Sequence, residues 1–243
     1  MPTRLESSAP HIHPALTWAE DLNDWGDQPD AIAGRSRSSG RLLWKSEGGA
    51  VEAGLWICTP GSWRLSIAKE EVCHFVSGRA HYRSDKREEI AVGSGTVAHF
   101  HPGWTGTCEV AETMRVIYMA APYDGPADLG AAVMRDPGEI GDLVDWGPVP
   151  SMIEGQSRTS GKLLYRRPDR GAESGIWVCT PGLWECHVNA GDELCHFLSG
   201  RCTYKHESGE VIEILPDTAA FFPNGWLGTC RVHETVRKVY MIR

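Results

Sequence analysis

Hydrophobic positions along this chain fall in short runs separated by polar and turn-forming clusters. Runs rich in β-branched and aromatic residues, Gly54–Cys58, Val72–Val76, Val110–Tyr118 and Val211–Leu215, are each bounded by glycine, proline or aspartate clusters at close spacing. Such runs predict β-strands that bury one or both faces, since a strand needs only a few residues to cross a small core. Helical periodicity is scarce. One stretch, Ala127–Met134, predicts one or two helical turns, set among the turn-forming Pro122, Gly125, Pro126, Pro137 and Gly138. The pattern predicts an all-β chain built as a sandwich or jelly roll, twice over.

The doubling rests on an internal repeat. Asp24-Trp25-Gly26 recurs as Asp145-Trp146-Gly147, and Gly54-Leu55-Trp56-Ile57-Cys58-Thr59-Pro60-Gly61 recurs as Gly175-Ile176-Trp177-Val178-Cys179-Thr180-Pro181-Gly182. Both pairs share one offset. An extra residue near Gly191 shifts the register, after which Glu71, Cys73-His74-Phe75 and Ser77-Gly78-Arg79 match Glu193, Cys195-His196-Phe197 and Ser199-Gly200-Arg201. Gly103-Trp104, Cys108 and Arg115 then match Gly225-Trp226, Cys230 and Arg237. About 46 of roughly 99 aligned positions are identical, enough to give the two units one fold. The predicted boundaries are an N-terminal arm at 1–20, a first unit at 21–119, a linker at 120–141 and a second unit at 142–243.

Composition narrows the function. A hydrophobic share of 41% over 243 residues suffices for two buried cores. The formal net charge of −8, with no block of lysine and arginine, offers no footprint for a phosphate backbone or an anionic bilayer, so neither nucleic acid nor membrane is an expected partner. Pro2, Glu6, Pro10, His11, His13 and Pro14 interrupt the first residues where an export signal would need an apolar run. That predicts a cytoplasmic chain with a loosely packed arm, and eight free thiols rather than disulfides.

Several motifs carry a family resemblance. A glutamate, six residues and a glycine, as in Glu71 to Gly78 and Glu193 to Gly200, resembles the end of the first cupin motif. Gly95, Phe100, Pro102, Gly103 and Trp104 resemble the second, with His101 and Pro223 in its proline column. The strings Gly-x-Trp-x-Cys-Thr-Pro-Gly, Glu-x-Cys-His-Phe and Gly-Trp-x-Gly-Thr-Cys, with Glu-Thr-x-Arg after them, resemble the ureidoglycine aminohydrolase-type cupin domain. The chain thus resembles a bicupin of the RmlC-like cupin superfamily, which implies a double-stranded β-helix, the jelly-roll barrel, in each unit.

Metal-dependent cupins hold a divalent ion with three histidines and a glutamate, and this chain departs from that set. Arg64 to Ile67 contains no histidine, and Gly106 and Gly228 stand where the second motif would place one. Two partial sets remain as metal candidates: His187, Asn189 and Glu193, or Glu71, His99 and His101. A weakly held divalent ion is the only cofactor either could support. The pocket candidates are Glu71, Cys73, Trp104, Arg115, Glu193, Cys195, Trp226 and Arg237. The two glutamates can be ligands, acid–base groups or halves of ion pairs with Arg115 and Arg237. Cys73 and Cys195 share the glutamates' face by strand alternation and can be core fillers or nucleophiles, whereas His74 and His196 face the other way. The tryptophan pairs Trp56/Trp177, Trp63/Trp184 and Trp104/Trp226 can line pockets or fill cores.

The expected activity is binding of a small polar metabolite in one or both barrel mouths. The resemblance implies hydrolytic or isomerising chemistry on a nitrogen-containing or hydroxy-acid compound. A metal-dependent cupin enzyme and a non-catalytic sensor or scaffold are the competing expectations, and a homodimer is left open.

Overall fold

The computed structural model describes residues 9–12, 22–123, 125, 131–134, 143–169 and 171–243. Its strands begin with β1 (His11–Ile12), β2 (Asn23–Asp27), β3 (Ala31–Ala33), β4 (Arg37–Lys45), β5 (Glu52–Cys58), β6 (Gly61–Ser66), β7 (Glu70–Ser84), β8 (Glu89–Val92), β9 (Val97–Phe100) and β10 (Thr105–Ala121). They continue as β11 (Ala131–Met134), β12 (Val144–Pro148), β13 (Met152–Gly155), β14 (Arg158–Arg166), β15 (Glu173–Cys179), β16 (Gly182–His187), β17 (Glu193–His206), β18 (Val211–Ile214), β19 (Thr218–Phe222) and β20 (Leu227–Ile242). Among the described residues no helix is long and apolar enough to cross a membrane.

Each repeat forms its own ten-stranded barrel sheet. The first runs β11-β9-β7-β10-β5-β4-β2, with β8 on β7, β6 on β10 and β3 on β6. The second runs β1-β19-β17-β20-β15-β14-β12, with β18 on β17, β16 on β20 and β13 on β16. The chain divides into a unit of Leu16–Ile140 and a unit of Gly141–Arg243 together with Met1–Ala15.

Two of the boundary segments differ from expectation. His11 and Ile12 pair with Ala220 and Ala219 on β19, so this part of the arm is a strand of the second unit rather than loose chain. Ala131–Met134, expected as helix, pairs antiparallel with Val97–Phe100 on β9; residues 127–130 lie outside the described residues. The reason is the same in both places. β9 and β19 would otherwise end the sheet with a row of unpaired amides, and a few residues of any modest propensity satisfy them.

Each core lies on the inner face of its sheet. In the first, Tyr82 meets Phe100 at 5.1 Å between ring centres and Phe100 meets Trp104 at 5.8 Å; in the second, Tyr204 meets Phe222 at 4.8 Å and Phe222 meets Trp226 at 5.4 Å. Trp104 and Trp226 are therefore core residues. The long ladders β7–β10 and β17–β20 bend to close the barrels, with register shifts at Val110–Val116 and at Phe197–Cys202. The motif glycines sit at these bends. Gly78 and Gly200 hold φ of +90° and +84°, and a Cβ on either would collide with the carbonyl oxygen of Thr113 or Thr235 across the ladder. Gly78→Ala and Gly200→Ala should each cost about 1–3 kcal/mol, read as a lower urea midpoint, because both the backbone angle and the close approach are lost.

Candidate functional site

Strand register decides which side chains enter the second barrel. On β17 and β20, Glu193 is paired with Ile242, Cys195 with Tyr240 and Phe197 with Lys238. Alternation then places Glu193, Cys195, Lys238 and Tyr240 on the inner face. A cavity of about 780 Å³ opens there. Its buried end holds Glu193, Lys238 and Cys186, its walls are Trp177, Trp184, Tyr204 and Tyr240, and Trp146, Lys162, Arg166 and Glu173 stand toward its exposed end. Trp146 reaches this position because Gly161 has no Cβ; one would collide with the indole.

The expected partner of the motif glutamate is corrected here. Glu193 pairs with Lys238, not Arg237: Lys238 Nζ lies 2.7 Å from Glu193 Oε1, with side chains only 9% and 18% exposed. Arg237 is one residue away on β20 and so faces the opposite side of the sheet. The ammonium also donates to Cys195 Sγ at 3.1 Å and lies 4.9 Å from the centre of the Trp177 ring. Cys195 in turn donates to Glu193 Oε1 at 3.1 Å. Burial pushes the Glu193 carboxyl up, but the charge and hydrogen bond of Lys238, helped by Cys195, outweigh it and hold the group below the usual glutamate value. Burial pushes Lys238 down, and the adjoining sulfur and carboxylate more than reverse that, so lysine stays an ammonium. At the exposed end Arg166 donates to Glu173 at 2.7 Å.

Neither Cys186, which lines the cavity, nor the buried Cys195 is primed as a nucleophile. Burial, followed by the Glu193 charge, pushes Cys195 far above the ordinary thiol value, and burial pushes Cys186 up to about 12 despite Lys238. All eight cysteines are unpaired, seven of them buried.

The first barrel resolves the same position differently. Glu71, Cys73 and Phe75 face Ala120, Tyr118 and Val116 on β10, so Val116 stands where the second barrel has Lys238. Arg115 is exposed and, like Arg237, lies on the other face, so the expected Glu71–Arg115 pair is also corrected. The nearest cationic influence on Glu71 is Lys69, which itself sits 3.7 Å from Glu52. Burial dominates and raises the Glu71 carboxyl to about 7. Cys73 is a buried thiol with its acidity suppressed by burial and by Glu71.

The two metal candidates do not assemble. His187 ends β16 on the face opposite Cys186 and Trp184, exposed, and Asn189 is exposed in the following loop, so neither meets Glu193 in the cavity. His99 and His101 point away from Glu71: Glu71 is in register with Phe100, and the histidines flank that residue on the outer face, where His101 Nδ1 lies 3.5 Å from Glu70 Oε1. Among the described residues no group of three histidine, cysteine, aspartate or glutamate side chains is disposed to hold an ion. His196 is a satisfied structural histidine, its Nε2 2.8 Å from Asp217 Oδ1.

The cavity residues that sequence reasoning missed include Lys238, Cys186, Trp146, Tyr204 and Tyr240, and Lys162, Arg166 and Glu173 at the exposed end. A signal for Lys238 existed: it is the lone charge among the inward positions Val236, Lys238 and Tyr240 of its strand, and its repeat partner is a valine.

The model of the EutQ-like cupin domain matches residues 45–118 and again 166–240. The chain belongs to the EutQ-like cupin domain family. It is a bicupin, with the two matches lying one in each barrel. No curated protein sequence matched it. Among solved structures it is similar to a DUF861 family protein of unknown function from Pseudomonas syringae pv. tomato, at 18% identity and a TM-score of 0.68 over 84% of this chain and 86% of that one. The protein Ylba from E. coli, also DUF861, gives 13% identity and 0.62 over 96% and 90%. HEPD from Streptomyces albus, solved with 2-hydroxyethylphosphonate and Fe(II) bound, gives 7% and 0.61 over 96% and 75%. At these identities the likeness carries the fold. In the EutQ-like bicupin the inward glutamate of the second barrel is engaged by an ammonium.

Titration should expose the asymmetry between the barrels. Because Glu71 is held at about 7 against an ordinary 4.5, the folded chain binds its proton more tightly than the unfolded chain, and stability falls as pH rises through that window. Glu71→Gln should therefore gain on the wild type above the window and show no advantage below it, measured as urea midpoints across the pH range.

Proposed function

We propose that this EutQ-like bicupin binds a small polar metabolite in the second barrel, without a metal ion, and that Lys238 supplies the cation at the buried end of the site. The reading is carried by the cavity of about 780 Å³ that ends on the Lys238–Glu193 pair and is walled by tryptophan and tyrosine. Its size suits a metabolite rather than a polymer, and its few convergent charges within aromatic walls are what a selective small-molecule site needs.

The charges define the ligand. Lys162 and Arg166 at the exposed end favour a carboxylate, while Glu173, Glu193 and the two tyrosine hydroxyls favour a partner with N–H or O–H donors. A hydroxy acid or a nitrogen-containing acid such as a ureido acid meets both demands, the class to which the resemblance to the ureidoglycine aminohydrolase-type cupin domain also leads. Binding is the activity proposed. The thiols are held protonated, and the ion pair at the buried end orients a ligand without offering a free base.

Thermal unfolding in chelator with a panel of small hydroxy acids and ureido acids tests this. One of these classes should raise the midpoint, by as much as about 2.7 kcal/mol at a hundredfold excess over Kd, and quench tryptophan fluorescence saturably. Trp146→Ala, at the exposed end and outside the core, should weaken that ligand by about tenfold, or ~1.4 kcal/mol. Binding that needs an added divalent ion, or that Trp146→Ala and Lys238→Met both leave untouched, would overturn the proposal.

A further inference from the structure

The contact between Lys238 and Cys195 supports chemistry that ligand binding does not use. Lys238 Nζ lies 3.1 Å from Cys195 Sγ, and Glu193 Oε1 touches both, at 2.7 Å from the nitrogen and 3.1 Å from the sulfur. The ladder itself makes this contact. Cys195 is in register with Tyr240 and Phe197 with Lys238, so the amine and thiol are diagonal neighbours on one face of β17 and β20. Both are enclosed, Cys195 fully and Lys238 to 7% exposure. Lys238 nevertheless lines the cavity, which gives a diatomic molecule a route to the pair. The first barrel is a built-in control, since Cys73 has Val116 where Cys195 has its lysine.

We propose that Cys195 and Lys238 are a site of oxidative cross-linking, joined by dioxygen into an N–O–S bridge. The bonds broken are the thiol S–H, two ammonium N–H bonds and the O–O bond; the bonds formed are N–O, O–S and two O–H bonds of water. One oxygen atom of dioxygen becomes the bridge and the other leaves as water. Sulfur and nitrogen each give up two electrons, which together reduce both oxygen atoms. The ammonium, thiol and dioxygen thus yield the bridge, one water and one proton. Glu193, in contact with both partners, is placed to accept that proton and pass it to the cavity. Cysteine chemistry that needs a thiolate is disfavoured in this enclosed site, whereas a nitrogen held 3.1 Å from the sulfur favours capture of an oxidised sulfur once Glu193 has taken a proton from the ammonium and freed its lone pair. The bridge removes the lysine's charge from the cavity. On the reading of the function above, it would also lower ligand affinity.

The test is intact mass of the full chain after incubation in air-saturated buffer, against an anaerobic control, followed by peptide mapping. The bridged chain should be heavier by one oxygen atom less two hydrogens, should yield a linked peptide containing Cys195 and Lys238, and should return to its starting mass with dithiothreitol. Cys195→Ser and Lys238→Arg should both abolish the shift, the arginine retaining a cation for Glu193 so that folding is preserved. An unchanged mass, oxygen added to cysteine alone, loss of two hydrogens without oxygen, or a shift that persists in Lys238→Arg would each overturn the proposal. Because mass reads the bridge directly, its absence leaves the ligand-binding measurement intact, and failed ligand binding leaves the bridge measurable.

Discussion

A carboxylate on the inner wall of a β-barrel has to be neutralised, either by a partner or by a proton, because desolvation of an unpaired charge costs several kcal/mol. Both barrels of this chain carry that carboxylate at the same place, and each meets the constraint in its own way. Glu193 is neutralised by Lys238 at 2.7 Å and stays ionised. Glu71 has Val116 where Glu193 has its lysine, and is pushed toward its protonated form. The rest of the second site follows from the ion pair: Cys195 is held against the ammonium, Trp177 lies beneath it, and the cavity ends on it.

This difference turns two copies of one fold into two environments. The aromatic clusters that fill the cores are alike, Tyr82, Phe100 and Trp104 in one and Tyr204, Phe222 and Trp226 in the other, and so are the bends at Gly78 and Gly200. The change that sets the charge of the two sites is one inward position on the last long strand, Val116 in the first barrel and Lys238 in the second. A lysine there costs desolvation that only an ion pair can offset, so its presence on an otherwise apolar inward face fits a site rather than a scaffold. The family to which the chain belongs does not by itself say which, since one barrel serves many chemistries.

The all-β fold, the repeat and the inward glutamate–cysteine face could be read from the chain, because they rest on period-2 alternation and on identity between Glu71–Gly78 and Glu193–Gly200. The partner of the glutamate could not. Arg115 and Arg237 recur in both halves and attracted the pairing, but whether position 237 or 238 faces inward depends on a register that passes through bulges between Phe197 and Cys202. The same parity misplaced His99 and His101, which flank the inward Phe100. Strands β1 and β11 were invisible for another reason. Both are short edge strands whose pairing comes from distant segments, and neither His-Ile nor Ala-Ala-Val-Met carries a pattern of its own.

Lys238 is the cation that neutralises the inward carboxylate of the second barrel. Calorimetric titration of chelator-stripped protein with Mn(II), Fe(II), Ni(II) and Zn(II) tests it most directly, run beside Glu193→Gln. The account predicts no saturable binding that depends on Glu193. One tightly bound equivalent, lost in Glu193→Gln, would contradict it.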